Sequence, residues 1–444
     1  MAINKKLIHF KKKEDFDNEV ANKNILDHSI VFIQDSKEIS THGTVYKSVN
    51  WNILEGITDL SMVDVYGTKH DQTTANCYIV KRAGTYKFPL VYGNAIKNGF
   101  TNLESYTVIS GDNSHNFVNY LGNQIVSPYI ETDTGSVADS AIISMSDTDV
   151  FGEPTIIIEE NSYKYIQFEV LDVPNTGANA VISVRDSNGV IMWNWHIWVW
   201  KRDLTPISIN NNNNKIYKIL PVNLATKLDS DGHFKNWFYQ WGRSIPLTIP
   251  ESYNSTNNHI NYGNLNFTII DNPTGNYQQG ITNPNVFYTD SSSTFYNWFG
   301  SKIYYNLWNS NCTELGVSSD KSVKTVYDPC PVGFKVPSAD VFTGFTITGY
   351  NAVDTSQFNV VGNYENGWKF KSKDSDNVGI FFPSSGFCRS NNGLIRQTNT
   401  YGYVWTSGIA SDEFIYHLNF GSDRVYPVGN YPGSMGFSIR PVLE

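Results

Sequence analysis

The chain has 444 residues and a formal net charge of -9, with 17% charged and 14% aromatic residues. Its length is enough for about three packed cores. The negative charge argues against a nucleic-acid partner, because phosphate binding needs a basic surface. Low charge together with abundant Tyr, Asn, Ser, Thr and Gly is typical of β-rich proteins, in which strands favour aromatic residues and turns need Asn and Gly.

The first twenty residues, MAINKKLIHFKKKEDFDNEV, do not fit a secretory signal. A signal needs an apolar core of about 7–15 residues behind a short basic start. Here the apolar cluster of Leu7–Phe10 is interrupted by His9 and is followed by three lysines. No later stretch contains the roughly 20 consecutive apolar residues that a membrane-spanning helix needs. The sequence therefore predicts a protein that is made in the cytoplasm and first stays there, without membrane insertion.

Residues 1–50 are predicted to form a helix followed by a β-hairpin. Residues 13–22 have two apolar residues four apart on one helical face. The apolar run Ile30–Ile33, a turn at Asp35-Ser36 and a second short run indicate the hairpin. This segment is too small and too polar to bury a core alone, so we expect it to attach to a partner or to copies of itself. The expected attachment residues are Phe16, Val20, Ile30, Phe32 and Ile39.

Residues 51–202 are predicted to form an antiparallel β-sandwich. Short strand-like stretches follow one another and are separated by turn residues, with almost no helical period. Asn188-Gly189 lies between two of them and is a strong hairpin signal. The stretches are TANCYIV, GTYKFPLVYG, PTIIIEE, KYIQFEVL, NAVISVRD and GVIMWNWHIWVW.

The last of these stretches has four tryptophans and two different faces. Alternation predicts one core face, formed by Ile191, Trp193, Trp195, Ile197 and Val199. The opposite face is mixed, and we expect the next domain to cover part of it. Its residues are Met192, Asn194, His196, Trp198 and Trp200. A carbohydrate platform on this opposite face stays open as an alternative.

Residues 203–444 form the third predicted segment, which begins just before an exposed poly-Asn loop at residues 210–214. It has many short strand-like runs and one short helix, predicted near Ser338 to Phe342. The four cysteines of the chain are too few for a disulfide framework and contain no CxxC pair for zinc. A Cys312–Cys330 bridge stays open, and Cys77 is expected to be a small buried apolar residue.

Catalytic and metal-binding signatures are absent from the sequence. There is no HExxH, no GxSxG and no phosphate-binding glycine loop. The pairs Asp229/Asp231 and Asp374/Asp376 resemble fragments of calcium loops but lack the further acidic ligands, so we interpret both as turns. We therefore predict no enzyme activity, no cofactor and no metal site.

Several motifs resemble known surface proteins. GTYKFPLVYGNAIKNG, preceded by TANCYIV and followed by MWNWHIWV, resembles the sandwich module of fimbrillin-like surface proteins of gut anaerobes. The ordered motifs YDPCPVGFKVPSADVFTGF, FFPSSGF, GYVWTSG, LNFGSDRVYP and GFSIRPVLE resemble the major-paralogue (FISUMP-type) domain, a relative of the C-type-lectin-like fold. KKLIHFKKKEDFDNEV followed by HSIVFIQDSKEISTHG resembles the N-terminal attachment segment of phage fibre proteins, including those of crAss-like phages.

The lectin-like resemblance implies an α+β domain at residues 203–444. Its terminal strand should pair near the beginning of the domain, and Trp405 should fill its core. Variable loops near residues 390–402, 408–414 and 429–434 combine aromatic and adaptable polar residues, as paratopes do. The implied ligand-binding residues are Arg389, Asn391, Asn392, Arg396, Tyr401, Tyr403, Asp412 and Tyr431.

Together the resemblances imply a structural protein of a phage virion, a head or tail fibre that needs no export signal. Residues 1–50 would join other virion proteins, and the lectin-like domain would bind a host-surface glycan or protein. A homotrimer is expected, because fibres are usually trimeric and the hairpin needs partners. The alternatives are a bacterial fimbrillin-like adhesin and a polysaccharide-active enzyme. A depolymerase fibre usually has a repetitive β-helix, whose period is absent here.

Overall fold

A computed structural model describes most of the chain from residue 56 onward and four strands before it. The described residues are 7–10, 30–33, 38–41, 44–47, 56–109, 111, 113–159, 163–247, 268–271, 275–289, 297–300, 302–316, 322–372 and 379–444. They are mainly β and form several separate sheets. The chain divides into two compact units, residues 1–58 with 83–85 and residues 59–82 with 86–444.

The first unit contains a four-stranded sheet. Its strands in spatial order are Leu7–Phe10, Ile30–Ile33, Glu38–Thr41 and Thr44–Lys47. The first two are parallel and the remaining neighbours are antiparallel. The predicted hairpin is confirmed, since Ile30 pairs with Thr41 and Ile33 with Glu38.

The predicted helix at residues 13–22, with Phe16 and Val20, lies outside the described residues. So do the side chains of Ile30, Phe32 and Ile39, although their backbone belongs to the hairpin strands. The attachment role of these five residues therefore stays a prediction.

Two further four-stranded sheets are formed by strands between residues 58 and 199. One contains, in spatial order, Asp139–Met145, Ala178–Arg185, Ile191–Val199 and Cys77–Val80. Its last pair is parallel, so the prediction that residues 51–202 are antiparallel throughout is wrong for the strand Cys77–Val80. The other contains Thr155–Ile158, Lys164–Val170, Gly84–Pro89 and Thr58–Asp59. Gly189 lies in the predicted hairpin turn with φ +78°, which suits glycine. A small ribbon pairs Ile96–Lys97 with Phe100–Thr101.

The later part of the second unit has shorter strands in several sheets. One four-stranded sheet contains, in spatial order, Ile207–Asn210, Ile216–Ile219, Val442–Leu443 and Phe334–Lys335. A second four-stranded sheet contains Tyr239–Gln240, Gly436–Phe437, Phe387–Cys388 and Ile395–Arg396. One three-stranded sheet contains Val360–Val361, Gly367–Lys371 and Gly379–Pro383. The other contains Tyr401–Ile409, Ile415–Gly421 and Arg424–Tyr431. The two-stranded ribbons are Lys227–Leu228 with Phe234–Lys235, and Thr268–Asp271 with Val286–Thr289.

The end of the chain returns to the beginning of the predicted third segment, as the sequence led us to expect. Val442 pairs with Ile219, and Phe437 pairs with Tyr239. Trp405 is fully buried, and its indole N–H donates to the carbonyl of Tyr239 at 2.8 Å. The last strands, up to the buried Val442, are therefore part of the interior packing.

The described helices are short. The α-helices are Ile130–Thr134 and Gln278–Thr282, and the 3₁₀ helices are Leu103–Ser105, Thr343–Phe345 and Thr355–Gln357. The predicted helix near Ser338 is wrong, because residues 339–342 form turns that lead into Thr343–Phe345. The hydroxyl of Ser338 donates to Asp340 at 2.5 Å, and such local side-chain bonds compete with regular helix. None of the described helices is long and apolar enough to cross a membrane.

The strand Ile191–Val199 is buried on both faces. The predicted core face is confirmed, and the predicted covering of the opposite face is confirmed too. The side-chain amide of Asn194 donates to the carbonyl of Ile281 at 2.8 Å, and the indole N–H of Trp198 donates to that of Thr226 at 2.9 Å. The alternative of a carbohydrate platform on this face is therefore wrong, because later parts of the chain cover the tryptophans.

The second unit has a continuous interior across residue 202. One apolar cluster includes Phe88 and Trp195 together with Trp241, Trp308 and Trp405. The two segments share this core, and the predicted domain boundary between 51–202 and 203–444 stays a prediction. All four cysteines are buried and free, so the Cys312–Cys330 bridge is not formed.

Candidate ligand-binding cleft

A cleft of about 390 Å³ lies where four distant parts of the chain meet. Its walls come from residues 146–147, Thr176, residues 227–238, and residues 384–399. The volume falls in the range of about 300–1,000 Å³ that is usual for small-ligand sites. We name it the seam cleft, because it joins the predicted second and third segments within the second unit.

A tight β-ribbon forms one wall of the seam cleft. Asp229 accepts the backbone N–H of Asp231 at 3.1 Å and of His233 at 2.8 Å, which closes the turn. Gly232 follows with φ +84°, a conformation that glycine adopts readily. The ribbon that results places Lys227 directly opposite Lys235.

Each of these lysines has a carboxylate partner. The ammonium of Lys227 lies 2.7 Å from Asp147, and that of Lys235 lies 3.4 Å from Asp229. Burial alone would raise the pKa of Asp229, but the backbone N–H of His233 and the charge of Lys235 lower it below its ordinary value. Asp229 is therefore ionised at neutral pH, and the two positive and two negative charges of these pairs balance.

Aromatic side chains form the apolar part of the wall. Phe234 packs against Phe381 with ring centroids 5.4 Å apart. Trp237 is only 2% exposed and belongs to an apolar cluster with Val181 and Ile245. Trp237 therefore supplies apolar surface to the cleft.

Asn236 has a fixed orientation beside the aromatic wall. Its amide nitrogen donates to the hydroxyl of Ser385, and its amide oxygen accepts from Thr226 at 2.5 Å. Both ends of the amide are therefore held in place. A polar group held in this way contributes specificity with little loss of side-chain entropy on binding.

The opposite wall contains Asn399, whose backbone N–H donates to the carbonyl of Ser384 at 2.7 Å. Asn399 has φ +61°, a conformation that asparagine tolerates better than most residues. Its exposed side-chain amide makes no hydrogen bond to any described residue. Gly386 allows the chain to fold tightly here, because a Cβ atom would lie 2.2 Å from the carbonyl oxygen of Arg396.

The predicted loop at residues 390–402 contributes to this cleft, but through residues that the sequence did not single out. Ile395, Thr398 and Asn399 line it. Arg389, Asn391 and Asn392 lie on the neighbouring turn between the strands Phe387–Cys388 and Ile395–Arg396. The side-chain oxygen of Asn392 accepts the backbone N–H of Leu394 at 3.1 Å, a structural bond.

The other candidate residues do not line the cleft. The guanidinium of Arg424 lies 4.6 Å from the ring of Tyr401 and donates to its hydroxyl at 2.9 Å. Tyr403 is only 5% exposed and donates to Gln397 at 2.5 Å, so it is mainly a core residue. The ring of Tyr431, 39% exposed, lies 6.3 Å from that of Tyr403.

Arg396 and Asp412 complete the set of candidates. Arg396 lies half-buried in the strand Ile395–Arg396. Asp412 is exposed and accepts a hydrogen bond from the hydroxyl of Tyr305. The eight residues therefore do not form one site, apart from the aromatic pair of Tyr403 and Tyr431. Their ligand-binding role stays a prediction.

The ribbon at residues 227–238 was not singled out from the sequence as part of a cleft. Its sequence, KLDSDGHFKNWF, alternates charged, amide and aromatic residues around an Asp-Gly turn. That pattern was the available signal. It was interpreted only as a turn, which the structure confirms for residues 229–233.

Among the described residues, the side chains of Asp229, Asp231 and His233 come within 4.8 Å of one another. These residue types can ligate a metal ion. One carboxylate oxygen of Asp229 is already used by two backbone N–H groups, so the cluster is accounted for as a turn. The other pair interpreted as a turn, Asp374/Asp376, lies outside the described residues.

Comparison of the chain with protein-family models, with curated proteins and with solved structures found no match. The function is therefore inferred from the geometry of the seam cleft and from the sequence motifs.

Proposed function

We propose that the chain is a phage fibre protein whose seam cleft binds a saccharide on the host-cell surface. The observation that carries this proposal is the lining of the cleft. An aromatic wall lies beside the fixed amide of Asn236, the exposed amide of Asn399 and balanced charges. A sugar ring presents apolar C–H faces and many hydroxyl groups, which match such a lining.

The proposed architecture is a fimbrillin-like β-sandwich at residues 51–202, with one parallel strand pair, and a FISUMP-type, C-type-lectin-like domain at 203–444. Packing between the two early sheets supports the sandwich, since Phe88 of one lies 5.2 Å from Trp195 of the other. The pairing of Val442 with Ile219 supports the lectin-like domain, in which the chain end returns to its beginning. Residues 1–50 are proposed to attach the chain to the virion and to join three copies.

Binding without hydrolysis is the function that the carboxylates favour. A glycosidase needs one carboxyl group with a raised pKa as the proton donor. In the seam cleft Asp147 and Asp229 each face a lysine, and the pKa of Asp229 is lowered. Release of reducing ends from host polysaccharide would instead support the alternative of a polysaccharide-active enzyme.

The experiment measures binding of the full chain to a glycan array and to whole susceptible cells. Asn399→Gly removes the free amide but tolerates the positive φ, so it should weaken binding about tenfold, the effect of about 1.4 kcal/mol. The matched control is Asn214→Gly, because Asn214 is also exposed and also has φ +61°. It should bind like the unmodified chain.

Two further variants locate the binding surface. Arg389→Ala and Tyr431→Ala alter the predicted loops outside the cleft. If these reduce binding while Asn399→Gly does not, the loops and not the seam cleft form the site. If the full chain binds no glycan and no cell, the receptor-binding proposal is refuted.

Attachment and assembly need separate measurements. Antibodies against the chain should label purified phage particles, whereas labelling confined to bacterial surfaces would favour the fimbrillin-like adhesin. Analytical ultracentrifugation at micromolar concentration should give a trimer, and a monomer alone would contradict the proposed assembly.

A further inference from the structure

A second cavity, of about 600 Å³, lies in the early part of the second unit. Its lining includes three tyrosines, Tyr129, Tyr163 and Tyr165, together with Gln72 and the neighbouring pair Glu131 and Lys164. We name it the tyrosine pocket. None of these residues lines the seam cleft, so the two cavities are distinct.

Two of the tyrosines form a stacked pair at the mouth of the tyrosine pocket. The rings of Tyr129 and Tyr163 are 5.4 Å apart and inclined by 17°. Tyr163 is 48% exposed, so the stack holds a large aromatic ring in contact with water. Burial, assisted by a hydrogen bond with Tyr163, raises the pKa of Tyr129 to about 12, so its hydroxyl stays protonated at neutral pH.

The two charged side chains of the lining are held in place, and their charges cancel. The ammonium of Lys164 lies 2.7 Å from the carboxylate of Glu131. The same oxygen of Glu131 accepts the backbone N–H of Val137 at 2.7 Å, which holds the side chain in place. Since the pair carries one charge of each sign, neither an anion nor a cation is favoured by it.

Tyr165 is the most buried of the three tyrosines, and a second balanced ion pair lies beside its ring. Tyr165 is only 6% exposed, and the ammonium of Lys87 lies 4.6 Å from the centre of its ring. Lys87 forms an ion pair with the carboxylate of Glu159, so the charges next to this ring also cancel and favour neither an anion nor a cation. An entirely apolar ligand would leave the amide of Gln72 and the Glu131–Lys164 pair without water or a replacement partner.

We propose that the tyrosine pocket is a second saccharide-binding site, specific for a neutral oligosaccharide. The exposed ring of Tyr163 would stack on a sugar face, as aromatic rings do on apolar surfaces. Gln72, Glu131 and Lys164 supply donors and acceptors for sugar hydroxyls. The pocket does not depend on the seam cleft. Two weak sites on one chain would strengthen attachment to a repetitive polysaccharide through avidity.

The test uses the full chain and a panel of neutral hexasaccharides, namely maltohexaose, cellohexaose, laminarihexaose, mannohexaose and chitohexaose. Isothermal titration should show that at least one of them binds to Asn399→Gly, in which the seam cleft is weakened. In that background, Tyr163→Ala should lower the affinity at least tenfold. Tyr163→Phe keeps the ring and should lower it less than threefold.

The control is Tyr350→Ala, because Tyr350 is 70% exposed and lies outside both cavities. It should leave the affinity unchanged. Thermal unfolding of each variant excludes misfolding as the cause of a loss. The proposal is overturned if no hexasaccharide binds to Asn399→Gly, or if Tyr163→Ala binds as tightly as the control.

The outcome also separates the two sites. If Asn399→Gly loses binding and Tyr163→Ala keeps it, the tyrosine pocket is refuted as a binding site and the proposed seam cleft is supported. The reverse pattern refutes the seam cleft and supports the tyrosine pocket. If a protein receptor captured from host envelopes, and no glycan, depends on Tyr163, the saccharide assignment is wrong.

Discussion

Three histidines with lowered pKa values should make the folded chain sensitive to mild acid. Burial lowers the pKa of His196 to about 3, and the same cause, partly offset by a backbone hydrogen bond at Ile415, lowers that of His417 to about 3. Burial likewise lowers the pKa of His115 to about 4. All three imidazoles are therefore neutral in the folded chain at every pH at which the protein is expected to work.

The free energy of unfolding should fall as the pH falls below about 6.5, the ordinary pKa of histidine. Below that value the histidines bind protons in the unfolded chain but not in the folded chain, so protonation favours unfolding. Above it both states are neutral and the histidines have no effect. At pH 5, about 1.5 pH units lower, each histidine costs about 2 kcal/mol at about 1.4 kcal/mol per unit. Three would cost about 6 kcal/mol, a large share of a typical stability of about 5–15 kcal/mol.

The assay is urea unfolding at pH 7 and pH 5, followed by tryptophan fluorescence. His417→Phe should reduce the loss of stability between these two values by about 2 kcal/mol. Phenylalanine suits this position because the ring of His417 lies among aromatic rings, 4.9 Å from Phe437 and 5.3 Å from Tyr431. The reference is the unmodified chain, unfolded under the same two conditions. An equal loss in His417→Phe and in the unmodified chain would refute the reasoning.

Two further predictions concern tight packing and thiol chemistry. Gly386→Ala should destabilise the chain more than Gly189→Ala in urea unfolding, although both glycines have positive φ. A Cβ atom at residue 386 would lie 2.2 Å from a backbone oxygen, whereas a Cβ atom at residue 189 would have no neighbour within 4 Å. Equal losses of stability would contradict the close approach at Gly386. Iodoacetamide should label none of the four cysteines before unfolding and all four in guanidinium, because burial raises the pKa of every thiol. Mass spectrometry counts the labels, and rapid native labelling would contradict their burial.

Local patterns in the sequence were sufficient for much of the β structure. The hairpin of residues 30–41, the Asn188-Gly189 turn and the core face of Ile191–Val199 all follow from short-range chemistry and alternation. The prediction of a short helix near Ser338 was wrong, because the hydroxyl of Ser338 donates to Asp340 and favours a turn. Turn chemistry outweighed helix propensity there.

The seam cleft was not predictable from such patterns, because long-range contacts build it. Lys227 and its partner Asp147 are 80 residues apart, and Asn236 and Ser385 are 149 apart. Each of these side chains looks like an ordinary surface residue when it is considered within its own stretch of sequence. Only the folded chain brings them to one cavity, and the same holds for Tyr129 and Tyr163 in the tyrosine pocket.

The shared interior leads to a last prediction, about the fragment of residues 203–444. This fragment lacks Asp147, Ser146 and Thr176, which form one wall of the seam cleft. It also lacks Trp198 and Asn194, whose side chains bond to the carbonyls of Thr226 and Ile281. We therefore expect the fragment to expose apolar surface and to lose glycan binding, while the full chain binds.

Array binding and thermal unfolding of both proteins check this expectation. A fragment that unfolds cooperatively and binds the same glycan as tightly as the full chain would contradict it. The binding surface would then lie wholly within residues 203–444, as the variable loops around Arg389 and Tyr431 imply. A folded fragment without binding would place the ligand against residues contributed by the earlier segment, because the loops outside the seam would still be present.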